Sequence, residues 1–329
     1  MLLMQNGSDC IYSCMNKVLC GKKITMSEAN ELLELDDKYT SELAGAANTI
    51  CREMNGNIVD VECLINAKSG NCAEDCAFCA QSARYKTNIK KYPFLSKDVI
   101  LDAAAKAKNG GARSFCLVCA WREPSEEDFD DVCSVVKDIL DKVGIDVNCS
   151  LGFLTEKRAK KLKALGVNRY NHNLEAGKSF FDNICSTHTF YDRVNTAKTV
   201  KSCGLKLCSG GILGMGETRQ QRLELAFQAS ELEPEEFPVN ILIPRLGTPL
   251  ANRKPLDPME VIKTIAIYRF ILPRSIIKIA GGREVHLREL QSLALLGGAN
   301  GIITGGYLTV GGNEAEQDIR MIRELGLKT

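Results

Sequence analysis

The 329-residue sequence has no excess of charge of either sign: 42 lysines and arginines stand against 41 aspartates and glutamates, a formal net charge of +1. That balance removes the electrostatic case for nucleic acid or an anionic membrane as a partner. Long apolar runs are missing as well. The stretch from Val261 to Leu272 is interrupted by Lys263 and Arg269, so no segment reaches the ~18 uncharged apolar residues of a membrane span. No charged start leads into an apolar stretch with a small-residue cleavage site, so a reducing, cytoplasmic setting is expected. Walker and dinucleotide fingerprints are absent, as are a hydrolytic triad and a paired-carboxylate motif, which sets aside the chemistries that need them.

Cysteine, by contrast, is plentiful: there are 15, an odd number. A chain this long buries a core without disulfide staples, and in a reducing compartment clustered cysteines point to metal or catalysis.

Several amphipathic segments end in glycine and run directly into a short apolar segment. Such joints precede Ser114–Val118, Ile145–Cys149, Val167–Asn171, Leu205–Cys208 and Gly301–Thr304. Glycine just past a helix end accepts the left-handed backbone, so each joint reads as helix stop followed by strand. Adding Ile58–Ile65, Val239–Ile243 and Ile276–Ala280 gives eight strands. Lys97–Lys108, Glu156–Leu165, Asp192–Ser202, Arg219–Leu232 and Pro258–Leu272 have helical periodicity. Eight alternating units predict a closed (β/α)8 barrel over residues 51–329 rather than an open doubly wound sheet. Residues 1–50 are expected to form a helical extension, helical from an N-cap at Ser27 to Glu53, covering the bottom of the barrel. Met1–Lys23 show no clear period.

After the first strand the chain reads Cys72-Ala-Glu-Asp-Cys76-Ala-Phe78-Cys79. In a barrel enzyme the active site lies on loops at the C-terminal ends of strands, where this triplet falls. Structural zinc usually wants four ligands, and no second pair stands at zinc-ribbon spacing. Three thiolates on a tight loop suit an iron-sulfur cubane with one iron left open to an exogenous chelator; zinc and ordinary loop cysteines are the alternatives. The C-x3-C-x2-C loop with Phe78 before its last cysteine resembles the signature of radical S-adenosylmethionine (SAM) enzymes. The longer string from Asn66 to Tyr85 is similar to that of the biotin synthases, and the likeness extends from about residue 27 to the end. Related radical SAM barrels, such as hydrogenase-maturation or pyrrolysine-pathway enzymes, share the triplet.

The resemblance implies a [4Fe-4S] cluster on Cys72, Cys76 and Cys79, with Phe78 beside it. It also implies an auxiliary [2Fe-2S] cluster, the sulfur donor, on Cys116, Cys149, Cys208 and Arg283. Taken singly, each of these three cysteines reads as core filling. Cys119 stands where better-known members carry a small residue. Strict alternation points it away from Cys116, but if it turns inward a four-iron auxiliary cluster becomes available. The string Tyr170-Asn171-His172-Asn173-Leu174-Glu175 puts Asn171, Asn173 and Glu175 on one face. The resemblance gives Glu175 to the SAM ribose and Arg193 to the SAM carboxylate. It gives Asn173 and Asn240 to the ureido ring of dethiobiotin, and Thr309 to the substrate's tail. His172 is read as a packing histidine, and Cys185 matches no motif. The implied reaction is sulfur insertion into dethiobiotin to give biotin, with SAM as radical source and flavodoxin or ferredoxin as electron donor, in a homodimer.

Overall fold

The computed structural model describes residues 7–305 and 312–329. Its strands are β1 (Asp60–Lys68), β2 (Ser114–Cys119), β3 (Asp146–Ser150), β4 (Arg169–Asn171), β5 (Lys206–Cys208), β6 (Gly211–Leu213), β7 (Glu236–Ile241), β8 (Ile276–Ile279) and β9 (Gly301–Thr304). All pair in parallel in the order β5-β4-β3-β2-β1-β9-β8-β7-β6, and a β5 to β7 pairing closes the ring. β5 and β6 are two halves of one stave, since β5 joins β4 to β7 and β6 continues along β7. The result is the eight-stave β/α barrel that the glycine joints predict.

The break in the fifth stave has a steric cause. A Cβ on Gly210 would lie 2.1 Å from the Pro238 carbonyl oxygen, and one on Gly211 would lie 2.5 Å from that of Glu175. These glycines let neighbouring strands approach one another at the barrel mouth.

The lower interior of the barrel is polar. Lys278 Nζ bonds Asp60 (2.9 Å), Glu62 (2.7 Å) and Glu236 (2.8 Å), while Arg169 pairs with Asp60 and Glu236. Asn148 donates to Glu62 (2.6 Å) and Ser114 (3.1 Å). Burial alone would lower the Lys278 ammonium, but attraction to Glu236, Glu62 and Asp60 outweighs it and holds the group well above its ordinary range. Burial also opposes ionisation of Asp60, yet Lys278 and Arg169 pull its carboxyl down to about 2. Replacing Lys278 by methionine leaves three buried carboxylates with one cation between them. The expected cost is roughly 3–5 kcal/mol, measurable as a lowered midpoint in denaturant unfolding.

The N-terminal extension folds as Gly7–Leu19, Met26–Glu34 and Thr40–Asn55. The second helix starts from Thr25, not Ser27: Thr25 Oγ1 accepts from Glu28 N (3.2 Å) and Glu28 accepts from Thr25 N (2.6 Å), a reciprocal capping box. The first helix falls in the segment that shows no clear period. It buries Ile11, Cys14 and Val18, a spacing that becomes visible once cysteine is counted as apolar. The boundary expected at residue 50 falls inside the third helix.

The extension lies along the flank of the barrel and reaches its lower rim where Arg52 bonds the Leu295 and Ala299 carbonyls. Against this flank the helix Pro258–Ile271 is buried continuously from Val261 to Ile271, its Lys263 and Arg269 taken up by the Leu35 carbonyl and by the Gly298 and Ser275 carbonyls. Among the described residues no helix is long and apolar enough to cross a membrane.

Candidate active site

At the C-terminal mouth of the barrel lies a cavity of about 320 Å3, and Cys72, Phe78, Cys76 and Cys79 all line it. Backbone bonds fold the cysteine loop onto itself: Cys72 N to Gln81 O (3.0 Å), Ala83 N to Cys72 O (2.7 Å) and Cys79 N to Cys76 O (2.9 Å). A further bond, Ala77 N to Ile184 O (2.8 Å), ties it to a second loop. Burial raises the Cys72 thiol and lifts Cys79 to about 11. Unmetallated, these sulfurs are therefore neutral, and a bound metal would draw their protons off.

Asn171, His172, Asn173, Glu175 and Arg193 line the same cavity. Arg193 is held by its Nη1 donating to the Asn173 carbonyl (2.9 Å) and its Nε to His188 Nε2 (3.0 Å), and its Nη2 points at Cys76 Sγ (3.9 Å). Glu175 has a φ of 68°, a backbone region costly for a residue with a side chain. Bonds from its N to Gly210 O (3.1 Å) and from Ile212 N to its O (2.9 Å) hold it there. Burial raises its carboxyl against the pull of Arg193. Two buried polar atoms of residues that line this space, Asn171 Oδ1 and His172 Nε2, have no hydrogen-bond partner among the described residues. Buried polar groups normally find one, so this lining is built for a polar ligand. His172 lines the cavity, and burial holds its imidazole well below the usual range.

Cys185 and His188 also belong to this site. Cys185 Sγ lies 4.0 Å from Cys76 Sγ, 3.3 Å from His188 Nδ1 and 3.2 Å from Asp75. The bond to Cys76 pulls Cys185 down to about 4 and pushes Cys76 up, so one proton is shared between two sulfurs. Because His188 Nε2 accepts from Arg193, its Nδ1 carries the proton and donates to Glu74 (2.5 Å). The available signal was position: both residues lie in the short string that leads to Arg193.

Asn240 lines the cavity, but its amide already bridges strands, donating to Gly211 O (3.2 Å) and accepting from Gly281 N (3.0 Å). Asn173 accepts from Gly210 N (3.1 Å) and donates to Glu175 (3.3 Å). Each amide retains one N–H and one lone pair for a ligand. Thr309 lies outside the described residues.

The second cysteine set does not converge. Beneath the main cavity a smaller one of about 60 Å3 is lined by Cys116 and Cys208, with Glu62 and Glu236 below and the three asparagines above. Cys149 lines neither cavity. Its strand neighbours Asn148 and Ser150 face inward, so alternation turns Cys149 outward, towards Cys133 on the helix Glu126–Asp138. Cys119, two residues beyond Leu117, stands where the β1–β2 register shifts, and it lines the main cavity but not the smaller one. Arg283 also stays out. Gly282, with a φ of 86°, turns the chain off β8, and the guanidinium is taken up by Asp318 (2.6 Å), Gln291 and the Ile303 carbonyl (3.1 Å). The expected ligand set of three cysteines and Arg283 is therefore corrected to two interior thiols. The interior cation is Lys278, and Asn148 is the residue paired with Cys116.

Residues 67–229 match the radical SAM superfamily, and residues 238–328 match the biotin and thiamin synthesis associated domain. Among solved structures, methylornithine synthase superposes with a TM-score of 0.82 at 20% identity, covering 96% of each chain. The FeFe-hydrogenase maturase of Carboxydothermus hydrogenoformans superposes at 0.81 and 18%, covering 96% of this chain and 78% of its own. At these identities the likeness is one of fold. Closer in sequence are the biotin synthases of Nitrosopumilus maritimus, 51% identical over 97% of this chain and 98% of the relative, and of Cenarchaeum symbiosum, 52% identical over 97% and 99%. That of Clostridium acetobutylicum is 45% identical over 99% and 100%. With the cysteine loop at the mouth of a radical SAM barrel and such identity along its whole length, the chain belongs to the biotin synthase family of radical SAM enzymes.

Proposed function

We propose that the chain converts dethiobiotin to biotin by radical sulfur insertion, with a [4Fe-4S] cluster on Cys72, Cys76 and Cys79 and SAM bound across the cavity. The observation that carries the reading is the joint lining of one cavity by three loop thiols and by Asn171, Asn173, Glu175 and Arg193. Cluster and SAM together supply a carbon-centred radical able to take hydrogen from an unactivated carbon, which no side chain provides.

The protein's own part is to bind, orient and exclude water. Arg193 meets the SAM carboxylate, a task for its planar fork. Glu175 takes the ribose hydroxyls, and the unpartnered Asn171 Oδ1 and His172 Nε2 take remaining polar atoms of the ligands. The spare amide valences of Asn173 and Asn240 receive the ureido ring, which offers donor and acceptor together. No step is assigned to an auxiliary cluster on Cys149 and Arg283, because neither side chain reaches the barrel interior. A flavodoxin or ferredoxin as electron donor and a homodimeric state complete the proposal.

Anaerobic incubation of cluster-loaded protein with SAM, a reductant and dethiobiotin is expected to yield biotin, methionine and 5′-deoxyadenosine; no biotin from a cluster-replete sample overturns the reading. Exchanging Arg193 for glutamine removes one charge-assisted contact and is expected to weaken SAM binding by roughly 1.5–3 kcal/mol, about 10- to 150-fold. Calorimetric titration of the loaded protein with SAM measures it.

A further inference from the structure

We propose that Cys76 and Cys185 form an oxidative modification site, closing into a reversible disulfide when the chain carries no cluster. The two sulfurs lie 4.0 Å apart. Their backbones are already coupled, because Ala77 N, next to Cys76, donates to the carbonyl of Ile184, next to Cys185 (2.8 Å). The single bond holds the two loops side by side at these cysteines, and a disulfide needs the sulfurs to close from 4.0 Å to about 2.05 Å. Closing the bond therefore asks for side-chain rotation and little backbone movement.

The surroundings distinguish the two sulfurs. Cys76 lines the cavity, beside the Arg193 guanidinium at 3.9 Å. Cys185 does not line it and stands behind Cys76, held by contacts to Asp75 (3.2 Å), His188 (3.3 Å) and Thr187 (3.6 Å). A peroxide entering the cavity thus meets Cys76 first. One thiol of the pair and hydrogen peroxide give a sulfenic acid and one water, and the other thiol then displaces a second water as the S–S bond forms. Two thiols and one peroxide become one disulfide and two waters, with the sulfurs oxidised and the peroxide reduced. Without a resolving thiol a second peroxide takes the sulfenic acid to sulfinic acid with release of water, and thiols do not reverse that product. The consequence for metal loading rests on Cys76 being a cluster ligand, as proposed above; the disulfide itself does not.

The test uses full-length chain freed of iron by anaerobic chelation, treated with two equivalents of hydrogen peroxide, one more than the disulfide consumes, alkylated, digested without reduction and mapped by mass spectrometry. The expected product is a peptide pair joined through Cys76 and Cys185, with full iron uptake restored after dithiothreitol. In Cys185→Ala and Cys185→Ser, Cys76 is expected as sulfinic acid, and iron uptake after dithiothreitol falls by more than half; agreement between the two variants, each with a wild-type thermal midpoint, separates this from misfolding. A Cys185 that remains alkylatable after oxidation, a Cys76 joined to Cys72 or Cys79, or equal recovery of the variants overturns the proposal. Iron loading of chain never exposed to peroxide reports separately on whether the Cys72–Cys79 loop holds the cluster.

Discussion

In anaerobically reconstituted Cys76→Ala protein, reductive cleavage of SAM and formation of biotin are both expected to fall below detection, with about four fewer irons per chain than the parent. The loop offers three sulfurs to the cavity, from Cys72, Cys76 and Cys79, and a cubane with one open iron needs all three. Cys185, although 4.0 Å from Cys76, does not line the cavity, so it is badly placed to stand in. The loop's backbone bonds do not involve the lost sulfur, so the fold is expected to survive and the loss to be chemical. Cys203→Ala, at the end of the helix Phe190–Ser202 and away from the cavity, serves as control and keeps full iron and activity. Iron content in Cys76→Ala equal to that of the parent would remove the loop from the reading.

The barrel was legible because its punctuation is local. Glycine at a helix end followed by a short apolar run is a signal carried by neighbouring residues, and joints such as Gly144 and Gly166 do adopt the left-handed backbone, with φ of 68° and 95°. The cysteine loop was legible for the same reason. What sequence could not tell was which face of a strand points inward. Strands of a β/α barrel are buried on both faces, so apolar alternation does not separate inside from outside. In β3 the apolar set Val147 and Cys149 faces the helices, and the polar set Asn148 and Ser150 faces a barrel interior already lined by Glu62, Arg169 and Lys278. A reading one residue out turns every side chain to the wrong face. Arg283 was misplaced for a different reason: the turn at Gly282 carries it off the barrel axis, and its partner Asp318 lies 35 positions further along the chain.

That division of faces sets the other large expected effect. Cys116→Ala and Cys208→Ala are each expected to abolish biotin formation while SAM cleavage at the upper loop persists, because both thiols line the small cavity directly beneath the main one. They are tied into the site from opposite sides: Asn171 donates to Cys116 Sγ (3.5 Å), and Cys208 donates to Glu236 (3.1 Å). Cys149→Ala removes a buried sulfur that faces Cys133 and the helices. It is expected to cost about 1 kcal/mol of stability and to leave biotin formation within about twofold of the parent, whereas Cys119→Ala, on the wall of the main cavity, is expected to lower biotin formation without loss of iron. Arg283→Gln is expected to act on folding, by roughly 3–5 kcal/mol, since it strands the buried Asp318 carboxylate. Iron content and visible absorption, measured beside activity in all five variants, separate the cases. If Cys149→Ala or Arg283→Gln lowers iron in protein that is fully folded, the outward orientation derived for that residue is wrong. If only Cys116→Ala and Cys208→Ala do so, whatever metal the barrel interior accepts is met by two thiols beside Asn148, Glu62, Glu236 and Lys278. The rest of its coordination must then come from those groups or from outside the chain.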